Sequence, residues 1–302
     1  MDRIEQIKQM LPEAFKNGLD MLNEDMCAEL SELRMRSGLP YAMMLAGKPV
    51  FCTESSLVSV PTERCLAPNV RDIARTLSRC SEYSLHKKES ALSHGYITMR
   101  GGHRVGVCAP YLENGMVDAS CVSSLNIRIA GEVIGCADEI VRVTQGVRLS
   151  SVLLAGPPLC GKTTLLRDIA RTLAGWPRLC RVCIADERHE IAALYEGTSP
   201  MHLGCCVDVI DGGDKRRAFD IAIRTLSPEI IVFDELGETV DFDTAVNSSA
   251  RGVCLIASVH CEYGAKGHGL VDKLLKTAAF DYVVYLRAGE LGQIEIIEKA
   301  GN

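Results

Sequence analysis

The sequence predicts an α/β protein with two domains: a smaller α+β domain at residues 1–138 and a domain with a mainly parallel sheet at residues 139–302. Three observations support this prediction. From residue 151 onward, short apolar runs alternate with helical patterns, which is the order of a parallel sheet covered by helices. The first half lacks this alternation and contains hairpin signals instead. A chain of 302 residues is also long enough for two hydrophobic cores.

The first half is predicted to begin with helices over residues 2–35, which break at Pro12 and end near residues 37–40. Each later element has a local signal, either alternation of apolar and polar residues or helical spacing of the apolar ones. These elements are a strand, turn and strand at 41–52, a helix at 69–79, a hairpin about Gly101-Gly102 and a strand at 124–130. Short helices mixed with hairpins predict the α+β class for this domain.

The second half repeats one pattern, in which a short apolar run is followed by an amphipathic helix. The runs predict strands at 151–155, 180–185, 206–210, 230–234, 253–259 and 281–286. Helices between several of them are expected at 162–174, 215–226, 238–250 and 267–279. The last strand is expected to enter a hairpin that turns at residues 288–292.

Composition and charge exclude several classes of function. The net charge of −6 and the isoelectric point near 5.7 argue against a general nucleic-acid coat. No run of eighteen or more apolar residues predicts a membrane span, and the first residues lack the apolar stretch of a signal peptide. We therefore expect a cytoplasmic chain, whose 14 cysteines stay thiols. Cys180 and Cys183 are expected on opposite faces of one strand, which argues against a zinc site.

Residues 156–163, Gly-Pro-Pro-Leu-Cys-Gly-Lys-Thr, match the phosphate-loop pattern G-x-x-x-x-G-K-[ST] in full. The match follows a predicted strand and opens a predicted helix, so backbone N–H groups and the positive helix end would surround a phosphate. We expect Lys162 to reach the β- and γ-phosphate oxygens of ATP and Thr163 to bind Mg²⁺. The predicted nucleotide-binding residues are Gly156, Pro157, Pro158, Leu159, Cys160, Gly161, Lys162, Thr163 and Thr164.

Cys160 stands directly before Gly161 and Lys162, beside a cation at the start of a helix. This setting activates thiols towards electrophiles. We therefore expect that alkylation of Cys160 blocks ATP binding and that ATP protects the thiol.

Polar residues follow three of the predicted strands, at the edge where ligands of parallel sheets bind. Asp234 and Glu235 end one strand, and we expect Asp234 to act at the Mg²⁺ ion and Glu235 to orient or deprotonate the attacking water. Glu187 ends a second strand and is another candidate for the same role, so the choice of base stays open. His260 ends a third strand, where it could sense the γ-phosphate or polarise the attacking water, and the sensor role is favoured.

Four segments together resemble the type II/type IV secretion ATPase superfamily. They are GPPLCGKTTLLRDIAR, ADERHEI, IAIRTLSPEIIVFDE and ARGVCLIASVHC, which in order resemble its phosphate loop (Walker A), acidic box, Walker B strand and histidine box. A closer resemblance, to a family of sporulation proteins in this superfamily, extends to the first half through residues 30–48 and 95–107. The Walker B turn differs from the usual pattern, because no arginine follows Glu235.

The resemblance implies a RecA-like phosphate-loop ATPase that forms a ring, a hexamer in this superfamily, at the cytoplasmic face of a membrane. It implies ATP and Mg²⁺ as cofactors and integral membrane proteins of the mother cell-to-forespore channel complex as partners. Lys162, Thr163, Glu187, Glu235 and His260 match the residues that act in the family. The arginines that could complete the site from a neighbouring domain or subunit are Arg128, which resembles the strand segment before the ATPase core, and Arg100, Arg104 and Arg224.

Two other functions stay open at this point. RecA-like cores also serve nucleic-acid-dependent ATPases, and a local basic patch could consist of Arg71, Arg75, Arg79, His86, Lys87 and Lys88. Few aromatic residues and an acidic total argue against this reading. The third function is an ATP-switched scaffold with little turnover, which only a measured rate distinguishes from a motor.

Overall fold

The computed structural model describes residues 3–82, 92, 95–110, 112, 118, 121–237, 251–261, 269–287 and 292–300. The chain divides into two compact units, residues 1–131 with 195–200 and residues 132–194 with 201–302. This division lies a few residues before the boundary that the sequence predicts. The predicted helix at 238–250, most of the turn at 288–292 and the residues His86, Lys87 and Lys88 lie outside the described residues.

The first unit contains an antiparallel sheet in the order β4-β3-β2-β1-β7-β6-β5. Its strands are β1 (Leu30–Arg36), β2 (Ala42–Leu45), β3 (Lys48–Cys52), β4 (Leu57–Val58), β5 (Tyr96–Thr98), β6 (Arg104–Cys108) and β7 (Ser124–Arg128). Its helices are α1 (Arg3–Met10), α2 (Glu13–Asp20), α3 (Glu24–Glu29) and α4 (Val70–Cys80). The predicted hairpin about Gly101-Gly102 corresponds to β5 and β6.

The prediction of helix over residues 2–35 is wrong at its end, because residues 30–36 form strand β1. Leu30 and Leu33 are spaced as on a helix face, but Leu33 and Met35 alternate as in a strand, and both are fully buried. Strand β1 is paired on both sides, with β2 and β7. These two partner strands, of which β7 is distant in the chain, decide between two local patterns that the segment fits about equally.

The second unit contains a mainly parallel sheet in the order β10-β9-β11-β12-β8-β13-β14, in which only β14 runs antiparallel to its neighbour. Its strands are β8 (Val152–Gly156), β9 (Val182–Asp186), β10 (Val207–Asp211), β11 (Ile230–Phe233), β12 (Cys254–His260), β13 (Tyr282–Leu286) and β14 (Ile294–Lys299). Its described helices are α5 (Asp138–Thr144), α6 (Lys162–Ala174), α7 (Lys215–Ile221), continued by a π-helical turn (Ala222–Leu226), and α8 (Gly269–Lys276). The predicted fold class is confirmed.

Both faces of the inner strands of the parallel sheet are buried, which explains the continuous apolar runs in β8, β9 and β11. Along β8, Val152 and Leu154 belong to one apolar cluster, while Leu153 and Ala155 belong to another. In register, Gly156 at the end of β8 pairs with His260 at the end of β12. The parallel pairing thus brings the polar residues that follow the strands to one edge of the sheet.

Candidate active site

The loop between β8 and α6 has a backbone that only glycine fits at two positions. A Cβ atom on Gly156 would lie 2.8 Å from Cys160 Sγ and 3.0 Å from Leu286 Cβ, so a side chain would displace the loop. Gly161, with φ of +93°, caps helix α6 in the left-handed region. The two glycines of the motif therefore determine how the loop turns from the strand into the helix.

Lys162, the first residue of α6, folds back over this loop. Its ammonium group donates hydrogen bonds to the carbonyl oxygens of Gly156 at 2.8 Å and Pro157 at 2.7 Å. The same nitrogen lies 3.1 Å from Nδ1 of His260. The side chain is buried, and burial lowers the pKa of Lys162. The loop therefore holds the cation at the carboxyl ends of β8 and β12.

Thr163 and Asp234 connect the loop helix to the turn after β11. The Thr163 hydroxyl donates to Oδ1 of Asp234 at 3.0 Å, and the backbone carbonyl of Asp234 accepts a hydrogen bond from the Ser258 hydroxyl. Asp234 is only 6% exposed, and burial raises its pKa to about 6, with a further contribution from the negative charge of Glu190. A buried carboxylate beside a hydroxyl fits Mg²⁺, since both supply oxygen ligands and a cation would offset the cost of burying the charge.

Glu235 lies between two basic side chains. Its Oε2 is 2.6 Å from the Arg188 guanidinium, and its Oε1 is 3.4 Å from Nε2 of His260. Because a lysine ammonium can only donate, Nδ1 of His260 accepts from Lys162 and the ring proton lies on Nε2, facing Glu235. Lys162, His260, Glu235 and Arg188 thus form one continuous polar chain.

Asp186, at the end of β9, organises the turn that follows it. The residue is 0% exposed, and each carboxylate oxygen accepts two backbone N–H groups. The four donors, at 2.8 to 3.3 Å, belong to Glu190, Ile191, Ala192 and Ala193. Such a carboxylate shapes the backbone locally and has little capacity left for a ligand.

Arg167 ties the same turn to helix α6. Its guanidinium donates to the carbonyl oxygens of Ile191 at 2.6 Å and Glu190 at 2.5 Å. Sequence reasoning placed Asp186 at a strand end but gave it no role, and it did not single out Arg167, an arginine in an apolar helix. Their partners are backbone groups, which carry no signal in the sequence.

The other residues of the turn face different partners. Glu187 is 42% exposed and pairs with Lys215 of α7 at 3.2 Å, while His189 pairs with Asp211 at the end of β10 at 2.6 Å. Glu187 forms no hydrogen bond or ion pair with Lys162, His260 or Asp234, whereas Glu235 pairs with His260.

The Cys160 thiol, whose alkylation we expect to block ATP binding, is buried, and that expectation stays a prediction. The side chain is fully buried, with its sulfur against Gly156 and 3.9 Å from the Lys162 ammonium. Its carbonyl oxygen accepts a hydrogen bond from Gly292 at 2.8 Å. The thiol therefore fills the space under the loop, and an alkylating reagent could reach it only if the loop opened.

The remaining predicted residues occupy separate places. Pro157, Pro158, Leu159 and Thr164 belong to the loop and the first turn of α6, with Pro158 and Leu159 exposed. Arg224 is exposed on the π-helical turn. Arg128 ends β7 in the first unit, where it is exposed and pairs in register with Glu32 and Arg104. Its role stays a prediction.

Comparison with known proteins identifies the family. A family model described as "Sporulation stage III, protein AA" matches residues 1–302. The chain is 34% identical over 312 residues to the stage III sporulation protein AA of Bacillus subtilis (strain 168), covering 98% of this chain and 96% of that protein. The chain belongs to the sporulation stage III protein AA family. The closer resemblance noted from the sequence is thereby confirmed.

Solved structures of other proteins share the fold of this chain. The ATPase DotB of Yersinia pseudotuberculosis superposes with a TM-score of 0.59 at 16% identity, covering 91% of this chain and 76% of that one. The pilus retraction motor PilT, solved with ADP, superposes with a TM-score of 0.54 at 14% identity, covering 87% and 76%. At these identities the likeness shows a shared fold and does not by itself assign an activity. Among the described residues, no helix has both the length and the apolarity that crossing a membrane requires.

Proposed function

We propose that this chain hydrolyses ATP to ADP and phosphate and is the cytoplasmic motor of a secretion-like membrane complex in endospore formation. The observation that carries the proposal is the contact between Thr163 of a complete phosphate loop and the buried carboxylate of Asp234, next to Lys162. Phosphate-loop ATPases require this arrangement: a loop and a lysine for the phosphates, and a hydroxyl with a carboxylate for Mg²⁺. Membership of a sporulation family supports the biological setting.

In this proposal the loop and α6 bind the nucleotide phosphates. Backbone N–H groups at the start of α6 provide donors, and Lys162 provides the positive charge. Thr163 and Asp234 would hold Mg²⁺, which supplies neutralisation of phosphate charge when bound. Because Lys162 now donates to Gly156, Pro157 and His260, binding a phosphate would exchange some of these contacts for phosphate oxygens.

Glu235 is the proposed group that orients the attacking water and takes its proton. It is favoured over Glu187 because His260 links it to Lys162, whereas Glu187 pairs with Lys215. When Lys162 turns to a phosphate, Nδ1 of His260 loses its hydrogen-bond donor. His260 would then move or reorient, and this change would affect Glu235, which its Nε2 faces. This is the proposed γ-phosphate sensor, and Arg188 would hold Glu235 in place.

The assembly is proposed to be a homo-oligomeric ring, a hexamer by resemblance to the superfamily, peripheral at the cytoplasmic face of the membrane. Its partners would be integral membrane proteins of the sporulation channel complex. Arg128 of a neighbouring domain or subunit is proposed to stabilise charge on the transferring phosphoryl group.

The test is ATP hydrolysis per subunit, measured against protein concentration, with Lys162→Ala as the blank. We expect a rate that rises steeply with concentration, because the active site is completed between subunits. An Arg128→Ala variant that stays assembled should lose turnover. A rate indistinguishable from the Lys162→Ala blank at every concentration contradicts the ATPase, and a rate that needs single-stranded DNA or RNA contradicts the motor.

A further inference from the structure

The parallel sheet has a second polar edge, at the amino ends of its strands and opposite the candidate active site. Six exposed cations lie along it, and we call them the basic edge. They are Arg148, Arg178, Arg181, Arg251, Lys276 and Lys299. The topology of the sheet places residues that are far apart in sequence on this one edge.

Strand boundaries and register locate these cations. Arg148, Arg181 and Arg251 come shortly before β8, β9 and β12, which are parallel. Lys299, at the end of the antiparallel β14, pairs in register with Tyr282, the first residue of β13. Lys276 ends helix α8, which leads into β13. From β9 to β14 the row crosses five strand spacings, or about 24 Å.

Among the described residues, fewer carboxylates than cations lie at the basic edge. Glu229 pairs with Arg181 at 3.6 Å, and the Asp281 carboxylate accepts a hydrogen bond from the backbone of Ser151. The opposite edge is mixed in charge, since the carboxylates of Asp186, Glu187, Asp211, Asp234 and Glu235 lie there with the cations Lys162, Arg188 and Lys215. An excess of exposed cations therefore distinguishes the basic edge from the opposite edge of the same sheet.

Exposed apolar side chains lie beside these cations. Trp176, the sole tryptophan of the chain, is 83% exposed, and Leu179 and Val147 are also exposed. Arg178 joins the two loops, because its guanidinium donates to the carbonyl oxygen of Gln145 at 2.7 Å. Tryptophan beside arginine and lysine is the combination that favours the boundary between lipid headgroups and acyl chains.

We propose that the basic edge, with Trp176, binds the surface of an anionic phospholipid membrane. The positive charge of this edge is complementary to the negative charge of the headgroups. A row of cations about 24 Å long fits a layer of headgroups, whereas a single acidic peptide would need a groove. The inference rests on the proposed membrane location of the chain, but not on ATP hydrolysis. It assigns the contact to one edge and leaves the opposite edge, with the candidate active site, facing away from the lipid.

The full-length chain should be tested for binding to vesicles of phosphatidylglycerol and, as a comparison, of phosphatidylcholine. Because Trp176 is the sole tryptophan, its fluorescence reports this surface directly. We expect a blue shift and co-sedimentation with phosphatidylglycerol vesicles, both reversed by salt, and neither with phosphatidylcholine. Co-sedimentation without a change in Trp176 emission would assign binding to another surface.

A variant that combines R148Q, R251Q and K276Q removes three charges and keeps the contacts of Arg178 and Arg181. We expect about a hundredfold weaker binding to phosphatidylglycerol vesicles. The matched control, R64Q with R71Q and R75Q, removes three exposed charges from the first unit and should bind as the wild type does. Equal losses in both variants would show a general charge effect and overturn the proposal.

Other occupants of the edge have distinct outcomes. Loss of self-association in the R148Q/R251Q/K276Q variant, with vesicle binding unchanged, would identify a contact between copies of this chain. A Trp176 shift with single-stranded DNA but not with vesicles would identify nucleic acid. Vesicle binding is measured without ATP and ATP hydrolysis without vesicles, so failure of one proposal is distinguishable from failure of the other.

Discussion

Two turns at the carboxyl edge of the parallel sheet begin with the same two residues, Asp-Glu, and have different structures. In the turn after β9, the Asp186 carboxylate accepts hydrogen bonds from four backbone N–H groups, and Glu187 forms an ion pair with Lys215. In the turn after β11, Asp234 meets the Thr163 hydroxyl and Glu235 meets His260. The same pattern thus forms a local scaffold in one place and a candidate reaction centre in the other.

The difference comes from what surrounds each strand end. Strand β11 lies next to β12, whose last residue His260 pairs in register with Gly156 of the phosphate loop, so the turn after β11 is near that loop. Strand β9 lies one position further out and is covered by the returning turn at residues 187–193. A buried carboxylate needs hydrogen-bond donors. Asp186 accepts from backbone N–H groups of its own turn, whereas Asp234 accepts from the side chain of Thr163.

The largest expected effect separates the two glutamates. We expect Glu235→Gln to reduce kcat about a thousandfold, because an amide cannot accept the proton of the attacking water. Glu187→Gln, the matched change, should reduce it less than about tenfold. Steady-state ATP hydrolysis of both variants measures the difference, and a larger loss for Glu187→Gln would reverse the assignment.

Substitution of the two aspartates, Asp186 and Asp234, should change the free energy of unfolding by different amounts. Asp186→Asn replaces an oxygen that accepts two N–H groups with a donor, so we expect a loss of about 3 kcal/mol in the free energy of unfolding. Asp234→Asn keeps an oxygen for the single Thr163 hydroxyl and should lose less than about 1 kcal/mol, while Mg²⁺-dependent ATP hydrolysis is abolished. Denaturant unfolding and ATP hydrolysis of both variants test this, and similar unfolding energies would contradict the contrast.

A smaller effect is expected where α6 holds the turn after β9. Arg167→Lys keeps the charge but loses the planar fork that donates to Glu190 and Ile191, so we expect a loss of about 1–2 kcal/mol in unfolding free energy. Arg171→Lys, one turn along the same helix, retains its pair with Asp168 and serves as the control. An equal loss in both variants would mean that arginine packing alone is responsible.

The smallest effect concerns the contact that joins the two turns. Arg188 belongs to the first turn and pairs with Glu235 of the second at 2.6 Å. A double-mutant cycle of Arg188→Ala and Glu235→Ala should give a coupling energy of about 0.5–1 kcal/mol in unfolding free energy, as for other partly exposed pairs. No coupling would show that the two turns are independent in stability.

The sequence by itself determined the parts of the protein that depend on local chemistry. The glycines at 156 and 161, the loop lysine and the alternation of apolar runs with helices predicted the phosphate loop and the parallel sheet. Strands β8 to β13 lie within one or two residues of the predicted ones. These features follow from backbone conformation and from burial of both sheet faces, which a linear pattern records.

Tertiary structure alone decided the rest. Residues 30–36 became a strand because β2 and β7 pair with them, Cys160 was buried under its own loop, and Asp186 took four backbone donors while Asp234 kept a side-chain partner. The row of cations at the amino edge arises only when the strands are ordered in the sheet. In each case the deciding partner is distant in the chain or is a backbone group, and neither leaves a mark in the local sequence.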